Sequence, residues 1–342
     1  MKKTLVALAV LAAGSAQAVE LYNQDGATVN MGGDIEVRYV QSTDKGSEFK
    51  QEIDDSDLNF DIRYAVNDSF SIGGYWELND LATKDGSGGD AYVSFISTDL
   101  GTLKVGKTAT QLDDAGIGSD FLFGVQSHVE TADFSGDEVI RYDLDKGDYY
   151  VGLAYMQDRN GGNGLGKDGS LIDLKAGVRV ADLDISVFYG IADLSGVGTK
   201  ETDVLFGAVD QETGQPIVVS GVVNEVVNYD AKQSISALQA SYGGIENLNL
   251  EVGYYRADLE VAGAADQDAD TFAFAADYTL DKVTFAGGVS TTDYSFDKED
   301  HTDWFVNTGY SLAPNTTVYA EVGGNDKEES ETGFGVGIKA SF

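Results

Sequence analysis

The chain has 342 residues with 22 Lys and Arg against 58 Asp and Glu, a formal net charge of −36, which excludes the basic footprint of a nucleic-acid-binding protein. It has no cysteine, which excludes disulfides and thiolate metal sites and leaves strand pairing and packing to hold the fold. With 42 Gly, 18 Tyr and 16 Phe but only 2 Pro, little in the composition interrupts β ladders.

The chain opens with Lys2 and Lys3, an apolar run from Leu5 to Ala13, and Ala16-Gln17-Ala18. These are the charged region, apolar core and A-x-A cleavage site of a secretory signal peptide. The run is well short of the ~20 residues that a spanning helix needs. Residues 1–18 are therefore expected to be removed, leaving a mature chain of 19–342 with a charge of −38 once both leader lysines are gone. No later apolar stretch approaches about 18 residues, so a helical membrane protein is excluded. A membrane location would require a barrel.

Beyond the leader the hydrophobic period is two. In Val29 to Val40, Ile35, Val37 and Tyr39 share one face while Asp34, Glu36 and Arg38 share the other, an arrangement a helix would scatter. Leu58, Phe60, Ile62 and Tyr64 then oppose Asp57, Asn59, Asp61 and Arg63; Asn67-Asp68-Ser69 turns the chain. Phe70, Ile72, Gly74, Trp76 and Leu78 follow, opposite Ser71, Tyr75 and Glu77. The same rule predicts strands near 90–98, 102–108, 137–145, 148–157, 170–180, 182–192, 232–242, 248–258, 269–280, 282–292, 302–312, 316–323 and 332–342.

The total is sixteen, an even number as a closed antiparallel barrel requires. Short connections with turn chemistry at 99–101, 145–147, 181–182 and 313–315 alternate with longer polar ones at 41–53, 109–136, 158–169, 193–231 and 324–331. Short turns on one rim and long loops on the other are the form of a transmembrane β-barrel. The fold class expected is thus all-β, a 16-stranded transmembrane antiparallel barrel. Within the 193–231 connection, Ile217-Val218-Val219 and Val222-Val223 read as extensions of the two flanking strands.

The small or charged residues opposite the apolar stripe, such as Gly335, Gly337, Lys339 and Ser341, or Asp173, Lys175, Gly177 and Arg179, suit a wet lumen. Trp76, Trp304 and the tyrosines near strand ends are expected to form interfacial girdles.

At the carboxyl end Phe334, Val336, Ile338, Ala340 and Phe342 alternate up to a terminal aromatic residue. This end resembles the closing strand of Gram-negative outer-membrane proteins, whose final Phe is read by the barrel assembly machinery, and it marks Phe342 as an assembly signal. Val19 to Gly26, Leu58-Asn59-Phe60, Asn67-Asp68 and Leu100-Gly101-Thr102-Leu103-Lys104-Val105-Gly106-Lys107 resemble, in order, segments of the general diffusion porins. The resemblance spans the whole mature chain and is nearest the OmpU-type porins of marine bacteria.

That resemblance implies a homotrimer in the outer membrane, in contact with lipopolysaccharide, through which small hydrophilic solutes and ions diffuse passively. It also implies that the loop after the fifth strand, Ala109 to Glu130, folds inward as a constriction carrying Asp113, Asp114 and Asp120. The family lines the opposite wall with basic side chains. Here Asp34, Asp57 and about Gly89 stand where enterobacterial members place Lys or Arg, which implies a preference for cations. Asp34, Glu36, Arg38, Asp57, Asp61, Arg63, Arg141, Lys175 and Arg179 have the parity of pore-lining residues. For the basic ones two readings stay open: a thin basic wall, or charges paired to neighbouring carboxylates.

Asp266-Gln267-Asp268-Ala269-Asp270, with Asp277 eleven residues after Asp266, resembles the start of a calcium loop, but Thr271 stands at the sixth position where Gly is required. A solvated external loop is expected there, with loose divalent cations at most, and no metal site or cofactor elsewhere. The glycine-rich 158–167 segment lacks the P-loop spacing. His128 and His301 share no pattern with a serine nucleophile, so no enzyme is expected. The alternatives are an outer-membrane surface, adhesion or receptor barrel whose loops bind partners, and a soluble all-β periplasmic protein.

Overall fold

Each alternating segment leaves N–H and C=O groups unpaired along both edges, and in lipid only a sheet closed on itself satisfies them. The computed structural model shows that closure. It describes residues 18–83, 86–127, 134–209, 216–261, 265–296 and 298–342, with side chains described outside 197–229. The expected leader lies, except for Ala18, outside the described residues, as does His128.

The strands are β1 (Val19–Gln24), β2 (Ala27–Gln41), β3 (Lys50–Asn67), β4 (Phe70–Asn79), β5 (Ser87–Ser97), β6 (Gly101–Ala109), β7 (Ser135–Asp145), β8 (Tyr149–Asp158) and β9 (Gly169–Val180). They continue as β10 (Leu183–Val209), β11 (Pro216–Ile245), β12 (Leu248–Val261), β13 (Gln267–Leu280), β14 (Val283–Tyr294), β15 (His301–Ala313), β16 (Thr316–Asn325) and β17 (Gly333–Ser341). From β2 to β17 each strand pairs antiparallel with the next, and β17 returns to β2, so sixteen strands close the ring.

β1 was not expected as a strand. It pairs with β2 over Ala27 to Met31, whereas β17 pairs with β2 over Asp34 to Gln41. Because β3 occupies the other edge of β2, β1 and β17 lie end to end on one edge. The N–H of Gly33 donates to the carbonyl of Phe342 and the N–H of Phe342 to that of Gly33, both at 2.9 Å, which seals the seam. Asp25 and Gly26, with φ of 54° and 79°, give the doubly left-handed turn that suits a two-residue hairpin.

The expected long loop at 193–231 is mostly strand, in line with its valine-rich segments. β10 and β11 stay paired from Leu183↔Tyr242 to Val209↔Pro216, while β9 leaves β10 after Asp193 and β12 leaves β11 after Ala231. A two-stranded ribbon therefore continues past its neighbours for roughly 50 Å at about 3.4 Å per residue.

Burial is inverted relative to a water-soluble sheet protein. Ile35, Ile62, Phe272 and Val306 are about half exposed on the outer face, while Glu321, Asp173, Thr271 and Ser290 are buried on the inner one. An apolar band this continuous on the outside calls for lipid, which separates a membrane barrel from a sandwich. Trp76, 60 % exposed, and Trp304, 37 % exposed, lie on that outer face near the long-loop rim. Lipids brominated near the headgroup should therefore quench most of the tryptophan emission, and unchanged emission would contradict an interfacial girdle.

Candidate functional site: the inward loop and the throat

The segment after β6 has glycines at 116, 118 and 124, with Gly118 and Gly124 at positive φ, and so cannot continue as strand. Its neck closes where the Thr110 N–H meets the Phe134 carbonyl at 2.8 Å. From there it crosses the lumen. The Leu112 N–H donates to Asp173 on β9 at 2.8 Å and the Gly118 N–H to Glu251 on β12 at 2.8 Å. Asn307 on β15 donates to the Ser119 carbonyl at 2.7 Å, and Ser290 on β14 to that of Gln126 at 3.0 Å.

At its far side the N–H groups of Phe121, Leu122 and Phe123 all donate to Glu321 on β16, at 2.6, 3.2 and 2.7 Å. Leu112, Ala115, Ile117 and Val125 on the loop pack into a hydrophobic cluster with Met156, Phe188, Ile235, Tyr255 and Phe305 of the wall. This is a local core inside an otherwise polar lumen. It fixes the side of the loop that carries these four residues.

Gly335, read from the sequence as suiting a wet lumen, leaves room for this loop, as do Gly323 on β16 and Gly333 on β17. A Cβ on Gly323 would lie 2.7 Å from the Cβ of Phe123, one on Gly333 would lie 2.6 Å from its ring, and one on Gly335 would lie 2.5 Å from Leu122. Phe121 stacks on Tyr319 with ring centroids 4.2 Å apart.

The three loop acids, Asp113, Asp114 and Asp120, are all solvent-exposed residues. Asp114 is bound by Arg141 at 2.6 Å and Lys175 at 3.0 Å. Burial raises the Asp114 carboxyl, but these two cations outweigh it and hold it below the ordinary aspartate range.

A model of the Gram-negative porin family matches residues 4–330. The chain belongs to that family. Porin-like protein H of Photobacterium profundum is 31 % identical over 361 residues, covering 100 % of both chains. Outer membrane protein U of Vibrio parahaemolyticus is 27 % identical and covers 97 % of this chain and 82 % of its own. The trimer form of OmpT from Vibrio cholerae superimposes with a TM-score of 0.73 at 20 % identity, over 93 % of this chain and 100 % of that one. The protein is accordingly a channel of the outer membrane and not an enzyme.

In this porin the wall residues fall into separate groups. Arg141, Lys175 and Asp114 meet at the loop, with Asp143 a further partner of Arg141 at 3.0 Å. Arg38 pairs with Glu52 at 2.7 Å and Asp54 at 2.5 Å, beside the mouth cavity that Phe123 and Gln126 also line. Arg63 pairs with Asp61 at 2.6 Å. Arg179 pairs with Asp145 and Asp184 at the short-turn rim, away from the loop. Asp34, Glu36 and Asp57 converge with Asp55 around Lys339. The acids Asp268 and Asp270 of the calcium-like segment are ion-paired to Arg256 at 3.4 and 2.9 Å.

Sequence reading missed Glu321, Asn307, Glu251 and Lys339 as functional positions. Their only sequence signal is lumen parity, shared with many solvated side chains. Among its packed neighbours on the loop, desolvation of the Asp120 carboxyl, with the nearby Glu321 charge, raises it above the ordinary aspartate range. A raised carboxyl gains its proton earlier as pH falls. The charge of Asp120 should therefore be lost at a higher pH than that of an open-water aspartate, and Asp120→Asn should remove this part of any pH dependence of the reversal potential.

Proposed function

We propose that this porin passes small hydrophilic solutes by passive diffusion and prefers cations. The observation that supports this reading is that Arg38, Arg63, Arg141, Lys175 and Arg179 are each engaged by carboxylates, so that none of these five stands as an unpaired basic wall. The formal charge of −36 adds little alone, because loop charges far from the throat are screened beyond about 8 Å at physiological salt. Charges inside a narrow, low-dielectric throat act strongly on passing ions. Asp113, Asp114 and Asp120 border one side of it in this reading, and Asp34, Glu36, Asp57 and Asp61 the other.

The working unit is a homotrimer, a reading supported by the trimer form of OmpT. Export removes residues 1–18, the barrel assembly machinery reads Phe342, and the acidic loops face lipopolysaccharide. The test is the reversal potential in a KCl gradient across planar bilayers. Wild type should show the sign of cation preference, and the triple variant Asp113→Asn, Asp114→Asn, Asp120→Asn should shift toward chloride, partly because Arg141 and Lys175 lose a counter-charge. A chloride-preferring wild type overturns the proposal. An unchanged triple variant moves the filter to Asp34, Glu36, Asp57 and Asp61.

A further inference from the structure

Where β17 closes on β2, which β3 flanks on its other edge, four carboxylates meet on the lumen face. Register sets Asp34 directly opposite Asp57, and Glu36 directly opposite Asp55. Like charges directly across a strand pair repel, so two such pairs in succession need a cation. Lys339 supplies one. Its ammonium lies 2.6 Å from Asp34, 2.9 Å from Asp55 and 3.6 Å from Glu36.

Each of Asp34, Asp55 and Asp57 offers a carboxylate oxygen, and these atoms all lie within 4.8 Å of one another. That spacing suits a hard divalent ion, which holds carboxylate oxygens at about 2.3 to 2.6 Å. Asp57 is not bonded by Lys339; it accepts the N–H of Asp80 at 2.9 Å. The cluster is tied to the constriction, since the Tyr319 hydroxyl donates to Glu36 and the Tyr319 ring carries Phe121 of the loop.

We propose that Lys339 is the residue that sets how this channel treats divalent cations: its ammonium occupies a carboxylate cage that would otherwise retain Ca²⁺ or Mg²⁺. One monovalent, covalently tethered cation neutralises part of the cage, so passing ions are attracted without being trapped. A lysine suits this task because its three N–H donors satisfy carboxylates from two strands at once while its charge stays below that of a metal ion. The inference deepens the cation-preferring reading and rests on it.

The test uses the full-length porin in planar bilayers with KCl on both sides and CaCl₂ added as the probe. Wild type should keep its KCl conductance as Ca²⁺ rises through the millimolar range. Lys339→Met should acquire a Ca²⁺ block with a midpoint on the order of 10⁻⁴ to 10⁻³ M, the range of modest carboxylate sites. Lys339→Arg should stay insensitive. Ca²⁺ should also restore the heat resistance of the folded Lys339→Met band on gels, an effect that loss of a merely structural ion pair would not bring.

Should Lys339→Met fail to insert, the double variant Asp34→Asn, Asp55→Asn provides the second arm. It leaves Lys339 with Glu36 alone, at 3.6 Å, as a carboxylate partner and should move the reversal potential toward chloride more than Asp61→Asn does. A Lys339→Met channel with the Ca²⁺ response of wild type overturns the inference, as does a double variant with an unmoved potential. A wild-type channel that prefers chloride overturns instead the reading beneath it.

Discussion

Replacing Glu321 with Ala is expected to raise single-channel conductance, to make the open current noisy and to speed the entry of larger sugars. The carboxylate is 1 % exposed and accepts three successive backbone N–H groups of the inward loop, with the Asn307 amide as a fourth donor at 3.1 Å. A buried donor left without a partner costs about 1–3 kcal/mol, and water entering from the lumen reduces but does not cancel that for three at once. The loop would keep its anchors at Asp173 and Glu251, so its Phe121–Phe123 end should detach while its start stays docked. Glu321→Gln keeps one acceptor oxygen and should fall between the two. Gly333→Val should act in the same direction from the opposite side, since even a Cβ there meets the Phe123 ring. Liposome swelling with sugars of increasing size and single-channel recording would measure both effects. Unchanged conductance and size cut-off in Glu321→Ala would mean that the hydrophobic cluster and the remaining wall hydrogen bonds hold the loop without Glu321.

Deleting Phe342 is expected to remove most folded porin from the outer membrane. β17 has only nine residues, and Phe342 adds the two hydrogen bonds to Gly33 that carry the seam from β17 toward β1. Without them the closing strand ends one residue early, and the barrel is left with an open edge in lipid, where unpaired backbone groups are most costly. The outward-facing ring, 39 % exposed, also disappears from the outer face. Phe342→Tyr preserves both features and should assemble normally. The heat-modifiable band in outer-membrane fractions reports the outcome, and a wild-type amount of that band after deletion would remove Phe342 from assembly.

The linear chain by itself determined which segments are strands, because a period of two written over about seven or more residues admits no helix. Leu58 to Tyr64 and Phe334 to Phe342 are legible this way, as are turns such as 181–182 and 313–315, where Ala181 and Asn315 take positive φ. It also carried the family, through motifs spread in order along the chain. Alternation sorts residues into two faces but cannot say which one meets lipid; only closure of the ring, with Ile35 outside and Glu36 inside, decided that. β1 escaped notice because a strand of six residues is too short for its period to stand out. Glu321 receives N–H groups about 200 residues away, and Lys339 meets Asp55 across 284, so no local pattern could reveal either. Gly323 and Gly333 carry no side chain to mark their role, which exists only because Phe123 comes to rest against them. Strand pairing is written in neighbours along the chain, whereas the throat is made by residues that meet only after the barrel has closed.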